Sequence, residues 1–360
     1  MLRRSLFPLS LLAFVALGAS HALPPAVAGG GEGEPAPKVV TLAADRILLA
    51  DALKELSRQT GIPIDNRSRE KPALHLELKQ VPFWQALDTI ARDSRTQVSP
   101  YGRLSLIDGP SPDPATISYD GLFRTSARKL VSVRDLAAGA HYYVASLEVA
   151  WEPDFAPFLL ETRPRSIVLH DDAGHDVPVP DNGSEQSPVA GRTTQEIEIR
   201  LPALDRSIKK IGLLKGEMSA IGPTRMLTFT FDGLQAGQEK KQDGVAVTLV
   251  RLVQREKVWT VELALEYPPG GPKLDSYQSW IVNNTAHLKN RSGQRLVSTS
   301  YASEAMTSNR AVVSYHFEDD PGRAPLLRGS KPEDWQLVYT TPAWIVEIPI
   351  HFEFKDLALP

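Results

Sequence analysis

The sequence predicts an α+β module at the front, followed by an all-β remainder built as two duplicated, immunoglobulin-like β-sandwiches. Three observations carry this expectation. Between Val39 and Ile107, two apolar stripes at helical spacing alternate with strand-like segments. After Ile107 the apolar period is mostly two, and prolines and glycines (29 and 24 in the chain) punctuate it throughout. Three landmarks then recur in the same order at an offset of about 120 residues, as a duplicated unit would place them.

The chain has 360 residues, enough for two or three domains. A net charge of −3 leaves no basic footprint for nucleic acid or an anionic membrane. There is no cysteine, which excludes disulfides, thiolate catalysis and zinc–thiolate sites. Met1-Leu2-Arg3-Arg4, the apolar run Leu6 to Leu17 and the small residues at Ser20-His21-Ala22 predict a signal peptide over 1–22, with cleavage after Ala28 as the alternative. No later run is long enough for a transmembrane helix, so the mature chain is expected outside the cytoplasm and not across a membrane. Gly29 to Pro37 is glycine- and proline-rich and is expected to be a linker.

The module is expected over 38–108 in the order βαββαββ. Val39 to Leu42 is a strand. Leu49, Ala52, Leu53 and Leu56 share one face of a helix over 47–59 that stops at Gly61. Ile62-Pro63-Ile64 is a short strand, and Leu74 to Leu78 alternates as a half-buried strand does. Pro82 suits a helix's first turn, after which Phe83, Ala86, Leu87, Ile90 and Ala91 form the second stripe. Strands at 97–99 and 104–106 flank the hairpin turn Tyr101-Gly102. The expected core is Leu49, Leu53, Leu56, Ala86, Leu87 and Ile90, with Gly61 closing the first helix.

This pattern resembles the short N-terminal module shared by secretins and TonB-dependent transducers. The resemblance rests on Leu49, Ala52, Leu53, Leu56, Thr60 and Gly61 in the first half, and on Val81, Ala86, Leu87 and Ile90 in the second. It covers about a fifth of the chain, and its matched positions are mostly core. It implies a docking piece of the bacterial periplasm with a protein partner. In that family a pore or a barrel follows the module; nothing after Ile107 has that pattern, so secretion or transport by this chain is not implied.

The sandwiches are expected over 116–235 and 241–358. Val144 to Trp151 answers to Trp259 to Tyr267, Ser166 to His170 to Ala286-His287-Leu288, and Leu227 to Leu234 to Ile350 to Leu357. Alternation buries Leu147, Val149 and Trp151 and leaves Glu148 in water; Val261, Leu263, Leu265 and Tyr267 form the matching buried face.

The densest group of ligand-type side chains is His170, Asp171, Asp172, His175 and Asp176. Facing one way, His170, Asp172, His175 and Asp176 could hold a divalent cation. Asp-Asp-Ala-Gly is also turn chemistry, and a hairpin tip is the preferred reading. Glu318-Asp319-Asp320 is read as a solvated acidic turn, and Lys209-Lys210 as surface charge. Motifs for zinc proteases, serine hydrolases, phosphate loops and dinucleotide folds are absent. No cofactor, no metal and no catalytic residue is therefore expected. The favoured function is a non-enzymatic adaptor or assembly factor of the cell envelope. The alternatives are a polysaccharide-binding sandwich using Tyr277, Trp280, Tyr301 and Trp335, and a hydrolase with an unrecognised carboxylate site. Oligomeric state is left open.

Overall fold

The computed structural model describes residues 35–69, 72–180, 183–189, 191–268, 283–320, 322 and 324–360. The predicted signal peptide and most of the linker lie outside these residues, as do Tyr277 and Trp280. The described residues belong to one compact unit. They are mostly β-strand, with two α-helices.

The module runs β1 (Val39–Leu48), α1 (Leu49–Thr60), β2 (Asp65–Asn66), β3 (Ala73–Pro82), α2 (Phe83–Asp93), β4 (Thr96–Ser99) and β5 (Ser105–Asp108). β1 and β3 pair antiparallel; β5 lies between β2, parallel to it, and β4. α1 ends where Gly61 takes the left-handed conformation (φ 77°) and its N–H returns to Ser57 O, a conformation glycine adopts without Cβ strain. Leu49, Leu53, Leu56, Ala86, Leu87 and Ile90 are buried in one core with Leu74, Leu76 and Leu78 of β3. The short strand expected at 62–64 falls instead at Asp65–Asn66. Ile62 is spent on the core, and the chain reaches β5 only afterwards, where Asp65 N donates to Leu104 O.

The first β unit contains β6 (Ile117–Asp120), β7 (Phe123–Asp135), β8 (Ala140–Trp151), β9 (Leu159–Glu161), β10 (Ser166–His170), β11 (Gln186–Pro188), β12 (Thr194–Pro202) and β13 (Lys210–Pro223). One sheet has the order β12-β8-β7-β6; the other places β10 and β9 along β13. Leu147, Val149, Trp151, Ile197 and Leu214 lie in the core these sheets share. The second unit contains β14 (Met226–Asp232), β15 (Glu239–Gln242), β16 (Val245–Arg255), β17 (Val258–Glu266), β18 (Thr285–Asn290), β19 (Arg295–Val297), β20 (Ser300–Met306), β21 (Arg310–Glu318) and β22 (Trp335–Pro342). Its sheets are β15-β16-β17-β21-β20 and β14-β22-β18-β19, around Trp259, Val261, Leu263, Leu265 and Tyr339. β23 (Ile345–Ala358) closes the chain.

The units are not contiguous in sequence, which corrects the boundaries 116–235 and 241–358. β14 leaves the first segment and pairs with β22 of the second; β23 leaves the second and pairs with β13 of the first. The two strand pairs form one antiparallel ribbon whose register never shifts, from Lys210↔Ala358 through Pro223↔Ile345 to Asp232↔Gln336. At the crossing, Thr224 N donates to Trp344 O and Ala343 N donates to Arg225 O, so the ladder carries through both linkers. Only Thr224 and Arg225 separate β13 from β14. Because both residues stay paired with the opposite linker, the chain runs straight on from one unit into the other instead of turning back. Opposite Gly216 lies Phe352, whose ring covers the backbone; a Cβ at 216 would sit 2.3 Å from its Cζ.

Candidate docking interface

Asp88 is at the centre of the junction between the module and the first β unit. It lies four residues after Trp84, so α2 directs both side chains to the same side. Trp84 Nε1 donates to Leu122 O at 3.0 Å. Asp88 receives Arg124 of β7 in a forked contact, Nε to Oδ2 at 2.7 Å and Nη2 to Oδ1 at 3.1 Å. Tyr119 of β6 donates to Asp88 Oδ2 at 2.7 Å. Arg124 Nη1 reaches Glu148 Oε1 of β8 at 3.4 Å. Two carboxylates thus hold one guanidinium that is 0% exposed. Burial opposes its charge, but Asp88 and then Glu148 hold its pKa above the ordinary value. The Tyr119 phenol is also raised, first by burial and then by Asp88.

Glu148 was expected in water and is 0% exposed. Its side of β8 is the outer face of the sheet, and the module covers that face: Ala150, two residues on, belongs to the module's core. Glu148 Oε2 lies 4.0 Å from Arg128 Nε. Beside it Tyr101, from the β4–β5 turn, donates to Glu196 Oε1 at 2.6 Å; burial, then Glu196 and Glu148, hold this phenol above its usual range. At the other end of the junction both oxygens of Glu152 accept the Lys38 backbone N–H, at 3.0 and 3.2 Å. Glu152 is 1% exposed. Burial pushes its pKa up to about 7, against the Lys38 N–H and with help from Asp154.

The sequence marks none of these junction residues as part of a site; it places Glu148 in water and Tyr101 in a hairpin turn. A signal was present in α2: aspartate is a poor helix former, and Asp88 sits mid-helix among apolar residues. Its partner Arg124 is 36 residues away in a strand of unrelated pattern, so pairing them needs the fold.

The residues the sequence did single out are not brought together as a site. His170 Nε2 bonds Asp176 Oδ1 at 2.8 Å, His175 Nδ1 bonds Asp171 Oδ2 at 3.0 Å, and Asp172 accepts the Lys209 N–H at 3.2 Å. Asp171 also accepts the N–H groups of Ala173 and His175, which close the turn and lower its pKa. Each imidazole faces its own carboxylate. No group of three or more His, Cys, Asp or Glu with a metal-ligand arrangement occurs among the described residues. Asp319 Oδ1 fastens a loop by accepting the N–H groups of Leu326 and Leu327. Lys210 pairs with Asp356 of β23. Trp335, offered as a sugar platform, is core: it is 2% exposed and stands edge-on to Trp259 at 6.0 Å. Tyr301 is 42% exposed on β20.

What the junction leaves outside is the β1–β3 ribbon. At Thr41 the edge of β1 is met by α1: Gln59 accepts the Thr41 N–H at 2.9 Å and donates to Thr41 O at 2.8 Å. β3 has no second neighbour among the described residues. Its leucines point inward, while His75, Glu77 and Lys79 are exposed.

Comparison with protein-family models, with curated proteins and with solved structures gives no match. No helix among the described residues is long and apolar enough to cross a membrane.

Proposed function

We propose that the chain is a non-enzymatic protein of the bacterial periplasm or cell envelope that acts as an adaptor or assembly factor through its N-terminal module. The observation that carries the reading is the division of that module into two sides. One side is locked to the first β unit through Asp88, Trp84 and Lys38. The other presents β3, a long strand with no second strand neighbour among the described residues. Such an edge offers backbone donors and acceptors to an incoming strand. The element order βαββαββ supports the likeness to the secretin and TonB-transducer module.

The β units serve in this reading as a duplicated, immunoglobulin-like pair of sandwiches that hold the module in place. Duplication is supported by matched irregularities. β7 bulges at Arg128 opposite Ser146 and Leu147, and β16 bulges at Val250 opposite Glu262 and Leu263. β6–β7 and β15–β16 each turn through two residues, 121–122 and 243–244. Bulges are placed features rather than accidents, so their recurrence weighs more than shared alternation.

A photo-crosslinking residue in place of His75 or Glu77, introduced in cells, tests the role. Adducts with an envelope protein from these positions, and none from the same residue in place of Arg291 on the second unit, are expected. Failure of both edge positions to capture any protein would overturn the reading. Osmotic-shock fractionation checks the compartment: recovery in the cytoplasm refutes it.

A further inference from the structure

We infer that the free edge of β3 pairs with β3 of a second copy of this chain, antiparallel, with Leu76 on the twofold axis. The inference rests on the reading of the module as a docking piece and names its partner.

The backbone decides which residues are available. Leu49 N donates to Pro72 O at 3.2 Å, one step beyond the pairs Leu48↔Ala73 and Ile47↔Leu74. Backbone groups alternate in direction along a strand, so the even-numbered residues of β3 turn theirs to β1. The odd-numbered residues Ala73, His75, Glu77 and Lys79 turn theirs to the open edge. Gln80 has φ of +51°, which ends the regular strand. Seven residues, 73–79, are therefore usable.

Only one antiparallel register pairs all seven with themselves, and its centre is Leu76. It sets Leu74 against Leu78 and Leu76 against Leu76, continuing the buried face of both modules as one. On the exposed face it sets His75 against Glu77, twice. A register centred on Glu77 would oppose two carboxylates, and one centred on His75 two imidazoles; both also shorten the overlap. Cross-strand pairs of opposite or matched character stabilise a sheet, and like charges directly opposite destabilise it. The four odd-numbered positions of each copy would exchange about eight backbone hydrogen bonds. The product is a four-stranded sheet, β1-β3-β3-β1, in place of two two-stranded ribbons. A contact of this size is small for a protein interface, so the dimer is expected to be weak.

The test is sedimentation equilibrium of the purified protein from about 5 to about 500 µM, the range a small interface calls for. The weight-average mass is expected to rise toward twice the monomer value. His75→Glu should weaken association at least about tenfold, because it opposes carboxylates across the twofold, and Glu77→Lys should weaken it less, because it sets an ammonium against an imidazole in place of the His75–Glu77 contact. The double variant His75→Glu/Glu77→Lys restores opposite charges at both pairs and should recover it. Both substituted positions are exposed, so folding is not at risk. Because the chain has no cysteine, a mixture of His75→Cys and Glu77→Cys proteins gives a second readout: mixed disulfides should form well in excess of either homodisulfide. A monomer at every concentration overturns the inference, and so does a dimer indifferent to the charge swap. If the purified protein stays monomeric while positions 75 and 77 capture another envelope protein in cells, the adaptor reading stands and this one falls.

Discussion

Each β unit carries an arginine–glutamate contact between two adjacent long strands, β7 and β8 in the first and β16 and β17 in the second, and the two differ in what covers them. In the first unit Arg124 and Glu148 lie under the module, with side chains 1% exposed. In the second Arg251 pairs with Glu262, and the arginine is 62% exposed. A surface pair gains little, since water screens it and ordering two long side chains costs entropy. A buried pair costs much to desolvate, and removing one partner strands the other charge. The module makes the Arg124–Glu148 contact part of a fixed junction. It does so by adding a third member, Asp88, whose forked contact supplies most of the charge balance.

The sharpest way to break this comparison is Arg124→Ala. It should cost about 3–5 kcal/mol in a urea melt, because Asp88 and Glu148 would be left buried and uncompensated. Replacing Asp88, Arg124 and Glu148 together with leucine or methionine should recover most of that loss; a triple variant as unstable as the single one would show that the network does more than balance charge.

A smaller difference concerns the ribbon. At the position facing the first phenylalanine of each Phe-x-Phe strand, the second unit has Tyr339 and the first has Gly216. Gly216→Ala should cost about 1–3 kcal/mol, since the added methyl meets the Phe352 ring and the core there is already full. An unchanged melting temperature would mean that the ring moves freely.

Glu152 gives a pH-dependent difference, because the second unit has Pro268 after its terminal aromatic where the first has Glu152 after Trp151. Folding raises the Glu152 pKa from 4.5 to about 7. The folded state thus favours the protonated acid, and the stability it contributes is complete below pH 4.5 and declines as pH rises through 7. Glu152→Gln should flatten that part of the stability profile and raise the melting temperature at pH 8 relative to the parent. The reverse slope would mean that the Lys38 N–H outweighs burial. Arg251→Ala, the smallest effect, should change stability by no more than about 1 kcal/mol, less still in high salt.

Much of the local structure was legible in the chain. Leu49, Leu53 and Leu56 share a helical face because their spacing allows no other common burial, and Val261, Leu263 and Leu265 share a strand face for the equivalent reason. The turn at 171–174 was legible because aspartate and glycine satisfy its backbone locally. Glu148 was misjudged for an instructive reason. Alternation reports two faces of a strand and assigns water to the polar one. It carries no information about a second domain arriving on that face.

The sequence by itself determined which residues are helix, strand and turn, and which side of each is apolar, because those properties depend on neighbours within a few positions. Only the tertiary structure decided where β14 and β23 belong, that Asp88 and Arg124 meet, and which edge of the module stays open. These depend on partners 36 to more than 100 residues away. An extended strand with one apolar face fits either sheet equally well, and the choice falls to the unbroken ladder that carries both strands across.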